Sequence, residues 1–159
     1  MKISIGTTEL TRALYRVQGI ADRKSTMPIL AHVLLSADTE QGLHVSATDL
    51  DVGITGTYNA NVLEPGAVAV HAKQLYEVVR SLPAGDIEIK KQDNNWIYLQ
   101  AGSSHFKLVG MPADEFPALP SRAQSNLFSL SATELVEMID QTIFCVSTDD
   151  NRHNLNGVY

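Results

Sequence analysis

A single cysteine, Cys145, stands among the 159 residues, which excludes a disulfide framework and a thiolate metal site. Placed between Phe144 and Val146, it is expected to be buried rather than reactive. Positive charge is scarce: 12 basic residues face 18 acidic ones, a formal charge of −6. A surface coated all over by nucleic acid is thereby excluded, though a local basic patch is not. No apolar run approaches the ~20 residues of a membrane-spanning helix. Met1-Lys2-Ile3-Ser4-Ile5 alternates like a strand and lacks the apolar stretch of a signal peptide. A cytoplasmic protein is the expectation, with no membrane partner.

Chemistry-bearing patterns are equally sparse. His32, His44, His71, His105 and His153 lie far apart, without the HxxxH or HxH spacing that brings two imidazoles to one metal. No glycine-rich phosphate loop and no GxSxG elbow is present. Asp149-Asp150-Asn151 lacks the glycine and distal glutamate of a calcium loop. His44, Asp49 and Asp51 are the one set from which a hydrolase could be assembled. Asp49 and Asp51, however, sit two apart beside a turn, a place where carboxylates are ordinarily just solvated. A non-catalytic protein without cofactor or metal is expected.

What the chain does have is repetition. Ile3 and Ile5 alternate, then Leu10, Ala13, Leu14 and Val17 recur at helical spacing. Val68 and Val70 lead in the same way to Leu75, Val78, Val79 and Leu82. Phe128 and Leu130 lead to Leu135, Met138 and Ile139, with polar Thr142 in the last slot. Period-two apolar residues make a half-buried strand, and an i, i+3, i+4, i+7 set makes one helix face. A strand–helix unit therefore occurs three times.

Between the first two copies, Gly19 to Pro28 reads as a loop. Ile29–Ala37, Leu43–Thr48 and Val52–Asn59 read as strands, and Glu64-Pro65-Gly66 as a tight turn. After the second helix, expected to end at Leu82-Pro83, come a hairpin of Asp86–Lys91 and Asn95–Ala101 and a strand over His105–Val109. The fold class is α+β, with an internal two-fold βαβββ repeat over residues 1–111. Residues 112–125 contain Pro112, Pro117 and Pro120 and read as an extended linker. Residues 126–159 hold the third copy, of which only the opening is expected to be present.

Charge is placed with the same periodicity. With the apolar stripe of the first helix turned inward, Arg12 and Arg16 point outward one turn apart. On the second helix Lys73 and Arg80 do so, with Glu77 between them. Two basic outward faces on an acidic protein suit phosphate contacts that are salt-dependent and indifferent to sequence. Arg23-Lys24 in the loop adds a second basic element. The third helix differs, since Glu134, Glu137 and Asp140 take its outward positions.

Arg23-Lys24-Ser25-Thr26-Met27-Pro28-Ile29-Leu30, Thr48-Asp49-Leu50-Asp51, Leu82-Pro83 and Glu115-Phe116-Pro117, in this order and spacing, resemble the bacterial sliding clamps, the beta subunits of replicative DNA polymerase III. The resemblance covers the whole chain and matches the first clamp domain and the start of the second. It implies the DNA-clamp (processivity) fold, with helices on one face of the sheets. It also implies a head-to-tail homodimeric ring of three-domain subunits around duplex DNA, to which short peptides of the polymerase catalytic subunit and the clamp loader attach. By the same resemblance Lys24, assisted by Arg23, and Lys73 and Arg80 are DNA-contacting, while Arg12 and Arg16 join them through the helical reading above. Arg152 and Leu155 match part of the partner-peptide pocket. Val78, Leu82, Phe106 and Leu108 match the apolar part of the subunit interface. Asp149 departs from the pattern, standing where a neutral DNA-contacting residue is expected. The alternative is a protein-interaction module derived from a clamp fragment that never encircles DNA.

Overall fold

Alternating burial builds the sheets. The computed structural model describes residues 1–21, 27–119, 129–149 and 151–159, which fall into two compact units, Met1–Pro120 and Ser121–Tyr159. In the first unit, strand β1 (Lys2–Gly6) leads into helix α1 (Thr7–Ala21), then β2 (His32–Asp38), β3 (Gly42–Thr48), β4 (Gly53–Tyr58) and short β5 (Asn61–Glu64). The order repeats as β6 (Gly66–His71), α2 (Ala72–Ser81), β7 (Asp86–Lys91), β8 (Ile97–Ala101), β9 (Ser104–Leu108) and β10 (Gly110–Met111).

The strands form two five-stranded antiparallel sheets, ordered β5-β1-β7-β8-β9 and β10-β6-β2-β3-β4. Each sheet thus joins the first strand of one repeat to the three central strands of the other. Register puts Ile3 against Ile89 and Ile5 against Ile87, and Val33 against Val70 and Leu35 against Val68. These inward side chains form one core with Leu10, Leu14 and Val17 of α1 and Leu75 and Val79 of α2. The two helices therefore serve the same faces of the sheets, and each fully covered aliphatic side chain stabilises the unit by about 1.5–3 kcal/mol.

The repeat is longer than the sequence pattern indicates. A fourth short strand closes each copy: β5 pairs with β1 and β10 with β6. Neither carries an alternating apolar pattern, because both are edge pieces defined by backbone pairing. Helix α1 also runs past Gln18 and through Gly19, since Ala21 still reaches the core. Thr7 begins α1; its backbone N–H and its hydroxyl both donate to the Gly85 carbonyl, each at 2.8 Å, tying the first helix to the second repeat. Pro28–Ala31 is a 3-10 turn rather than the start of a strand.

Turn chemistry fixes the connections. Asp38 accepts the N–H groups of Glu40 at 2.8 Å and Gln41 at 3.0 Å, and these bonds hold its carboxyl below the usual carboxylate range. Gly42 follows at φ +86°, where a Cβ would stand 2.6 Å from the Tyr58 carbonyl oxygen, so no side chain fits. The proline-bearing segment after β10 continues the first unit. A 3-10 turn at Ala113–Glu115 places Phe116 in a small second core with Ile29, Leu30 and Ala69.

The second unit contains α3 (Ala132–Asp140), every residue of which is exposed. The expected strand before it is not formed at Ser129 and Leu130, and Phe128 lies outside the described residues. Cys145, expected to be buried, is exposed at the end of a 3-10 turn, Ile143–Cys145. None of the described residues of this unit is buried, so the described residues form no core to receive the thiol.

Candidate nucleic-acid interface

The inward stripe of α1 decides what its other side presents. Leu10, Ala13, Leu14 and Val17 are buried, which leaves Arg12, Tyr15 and Arg16 exposed. On α2, burial of Leu75 and Val79 leaves Lys73, Glu77 and Arg80 exposed. The helices lie side by side, the Tyr15 and Tyr76 rings 6.4 Å apart and tilted by 42°. Between them runs a groove of about 460 Å³ lined by Thr11, Arg12, Tyr15, Tyr76, Arg80 and Leu82, among others. Arg12 and Arg80, from different helices and 68 positions apart in sequence (80 − 12), thus share one groove. Arg16 lies one turn beyond Arg12 on the same helix, and Lys73 lies two turns before Arg80 on α2.

The electrostatics of this face are uneven. Arg12 pairs with Glu9 one turn earlier, which offsets part of its charge. Arg16, Lys73 and Arg80 make no ion pair among the described residues. Arg80 sits in the last turn of α2, where a cation complements the helix dipole. The opposite end of α2 is capped by His71, whose Nδ1 accepts the Gln74 N–H at 3.5 Å. His71 also lies directly across the sheet from His32, with ring centroids 5.5 Å apart. His32 Nδ1 bonds the Pro28 carbonyl at 2.8 Å. Burial lowers the His32 pKa, and the neighbouring His71 lowers it further, against the raising effect of the Pro28 bond. Arg23 and Lys24 lie outside the described residues.

The apolar residues assigned to an interface gather elsewhere. Leu82, at the end of α2, and Phe106 and Leu108, on β9, are half-buried and pack against the main core; Val78 is half-buried on α2. Among the described residues strand β9 ends its sheet, bonded only to β8, so its outer edge presents the kind of unpaired backbone row that accepts another strand. Its outward side chains are held flat: His105 stacks on Tyr98 at 5.7 Å, and the Lys107 ammonium stands 4.4 Å from the centre of the Trp96 ring.

In the second unit, Arg152 Nε stands 3.6 Å from Asp149 Oδ2. Leu155 is exposed in a 3-10 turn, His153–Leu155, and its carbonyl accepts the Ser147 N–H at 2.7 Å. Together with Asn151 and Asn154 these two residues line a small pocket. Two of the three side chains considered for hydrolysis are engaged in structure: His44 Nδ1 bonds the Thr57 hydroxyl at 3.1 Å. Asp49 Oδ1 accepts the N–H groups of Asp51 at 3.1 Å and Val52 at 2.7 Å, which shapes the turn before β4. Sequence reasoning missed Tyr15 and Tyr76. Their only signal was an aromatic residue set between basic ones, Tyr15 between Arg12 and Arg16 and Tyr76 between Lys73 and Arg80.

Comparison with known proteins agrees with the fold. Residues 1–120 match the family model of the DNA polymerase III beta subunit, N-terminal domain. The beta sliding clamp of Caulobacter vibrioides is 40% identical over 161 residues, covering 100% of this chain and 43% of that protein. The solved Caulobacter crescentus polymerase III beta structure superposes with a TM-score of 0.91 at 40% identity, over 100% of this chain and 43% of that one. The Pseudomonas aeruginosa DNA polymerase III beta subunit gives 0.90 at 33% identity, over 99% and 43%. The chain thus spans about 43% of the length of the relatives it matches. A doubled strand–helix repeat, with residues 1–120 of the 159 matched by the family model, places the chain in the DNA polymerase III beta-subunit family, the bacterial sliding clamps.

Proposed function

We propose that this chain contributes the N-terminal clamp domain, and in residues 126–159 the opening of a second, to a sliding clamp that encircles duplex DNA and tethers the replicative polymerase. The observation that carries the reading is the groove shared by Arg12 and Arg80 between two parallel-serving helices. Cations on an inner helical wall meet phosphates without reading bases, so attachment is indifferent to sequence. Sparse contacts also suit the task, because each strong phosphate contact would resist sliding. Lasting attachment then comes from ring closure and not from affinity. A net charge of −6 keeps the remaining surface off the duplex.

In this reading Arg12, Arg16, Lys73 and Arg80, with Arg23 and Lys24 of the loop, face DNA. Phe106 and Leu108 on β9, with Val78 and Leu82, join a second subunit head to tail. Arg152 and Leu155 receive part of a clamp-binding peptide from the polymerase catalytic subunit or the clamp loader. The protein is non-catalytic and works in the cytoplasm.

The test is duplex binding by the 159-residue chain, followed by fluorescence anisotropy across a salt series. Arg12→Ala combined with Arg80→Ala should weaken binding equally for all sequences and reduce the slope of log affinity against log salt by about 2. An unchanged slope overturns the assignment of this face. Retention on circular but not on linear DNA by the ring-forming protein separates encirclement from the alternative, an interaction module that binds partners without enclosing DNA.

A further inference from the structure

Tyr15 has no role in the duplex contacts just described. It is 70% exposed, sits between Arg12 and Arg16 on α1, and forms one wall of the α1–α2 groove. Its tilt of 42° against Tyr76 is an edge-leaning contact, which leaves most of the Tyr15 ring uncovered. A phenol ring held in water beside cations suits a flat, electron-rich partner attached to an anion. Duplex DNA does not present one, since its bases are paired and stacked inside the helix. An unpaired strand does: each nucleotide offers a π-face beside a phosphate.

We infer that the groove between α1 and α2 is a single-strand subsite, in which one unpaired base stacks on Tyr15 while the flanking phosphates lie at Arg12 and Arg80. The groove volume of about 460 Å³ falls within the range of small-molecule sites, about 300–1,000 Å³. Val79 and Leu82 contribute apolar lining; the Thr7 and Thr11 hydroxyls donate to the Gly85 and Thr7 carbonyls, which leaves that of Thr8 facing the groove. The arginines serve paired and unpaired strands alike, so Tyr15 is the residue that tells them apart. This inference rests on the reading that the α1–α2 face meets nucleic acid.

The experiment compares a labelled oligothymidylate with a duplex of equal length, at low salt, on the 159-residue chain. Tyr15→Ala should lower the ratio of single-strand to duplex affinity about tenfold, the size of one lost base–aromatic stack. Tyr15→Phe should keep the ratio, because stacking needs the ring and not the hydroxyl. Tyr15 is exposed, so an unchanged melting curve for both variants will show that the fold is intact. No binding of oligothymidylate by the unaltered chain, an unchanged ratio in Tyr15→Ala, or an equal loss in Tyr15→Phe each overturns the subsite. The duplex salt slope of the Arg12/Arg80 variant is read separately: if that slope falls as expected while the Tyr15 ratio does not move, the subsite alone is wrong.

Discussion

His32 is the residue whose charge state the fold constrains most among the described histidines. Burial opposes its protonation, His71 across the sheet opposes it further, and the bond to the Pro28 carbonyl only partly compensates. Its pKa in the folded chain is therefore below the unfolded value of about 6.5. As pH falls through that unfolded value, the unfolded chain takes up the proton first, so the unfolded state gains and stability declines. The stabilisation is complete above about pH 6.5 and is lost as pH falls toward the lowered folded value. Thermal melts of the chain between about pH 7.5 and pH 5.5 should show a falling midpoint, and His32→Asn should flatten that fall. The same decline in both proteins would count against it.

At the scale of elements, β10 shows how little sequence a strand needs. Two residues, Gly110 and Met111, close the second sheet against Val70 and Ala69. The approach is so close that a Cβ on Gly110 would stand 2.3 Å from the Asn95 carbonyl oxygen and 2.7 Å from a Val68 methyl. Gly110→Ala should therefore cost about 1–3 kcal/mol through overpacking, measured by urea unfolding, and a change under about 0.5 kcal/mol would refute the close packing. Nothing in the sequence around Gly110 marks that constraint, because both neighbours come from elsewhere in the chain. The helices were legible for the opposite reason. Leu10, Leu14 and Val17, like Leu75 and Val79, record a face at fixed local spacing, and burial follows it. Arg12 and Arg80 were readable one by one as outward cations. The groove they share was not, since it depends on how two helices separated by 50 residues, from 22 to 71, come to lie together. Cys145 was misjudged because apolar neighbours in sequence imply burial only where a core exists to receive them.

On the scale of the molecule, both hydrophobic cores belong to Met1–Pro120. The described part of residues 121–159 contributes no buried side chain. The shortened chain 1–120 should then unfold in a single transition, with a free energy within about 1 kcal/mol of that measured for the same transition in the longer chain. A larger loss on shortening would mean that the second unit supports the first. Charge is divided on this scale too: the chain is acidic as a whole, while exposed cations from α1 and α2 gather at one groove. An acidic exterior with a local cationic wall favours contact with a polyanion only where the wall faces it.

The strand exchange between the repeats reaches furthest. Since β1 completes the sheet of β7–β9 and β6 completes that of β2–β4, the unit has the topology of a domain-swapped dimer whose two protomers are fused through Pro65. Neither protomer owns a finished sheet, so loosening one strips the other of its neighbour. The halves are obliged to melt and to refold as one cooperative body.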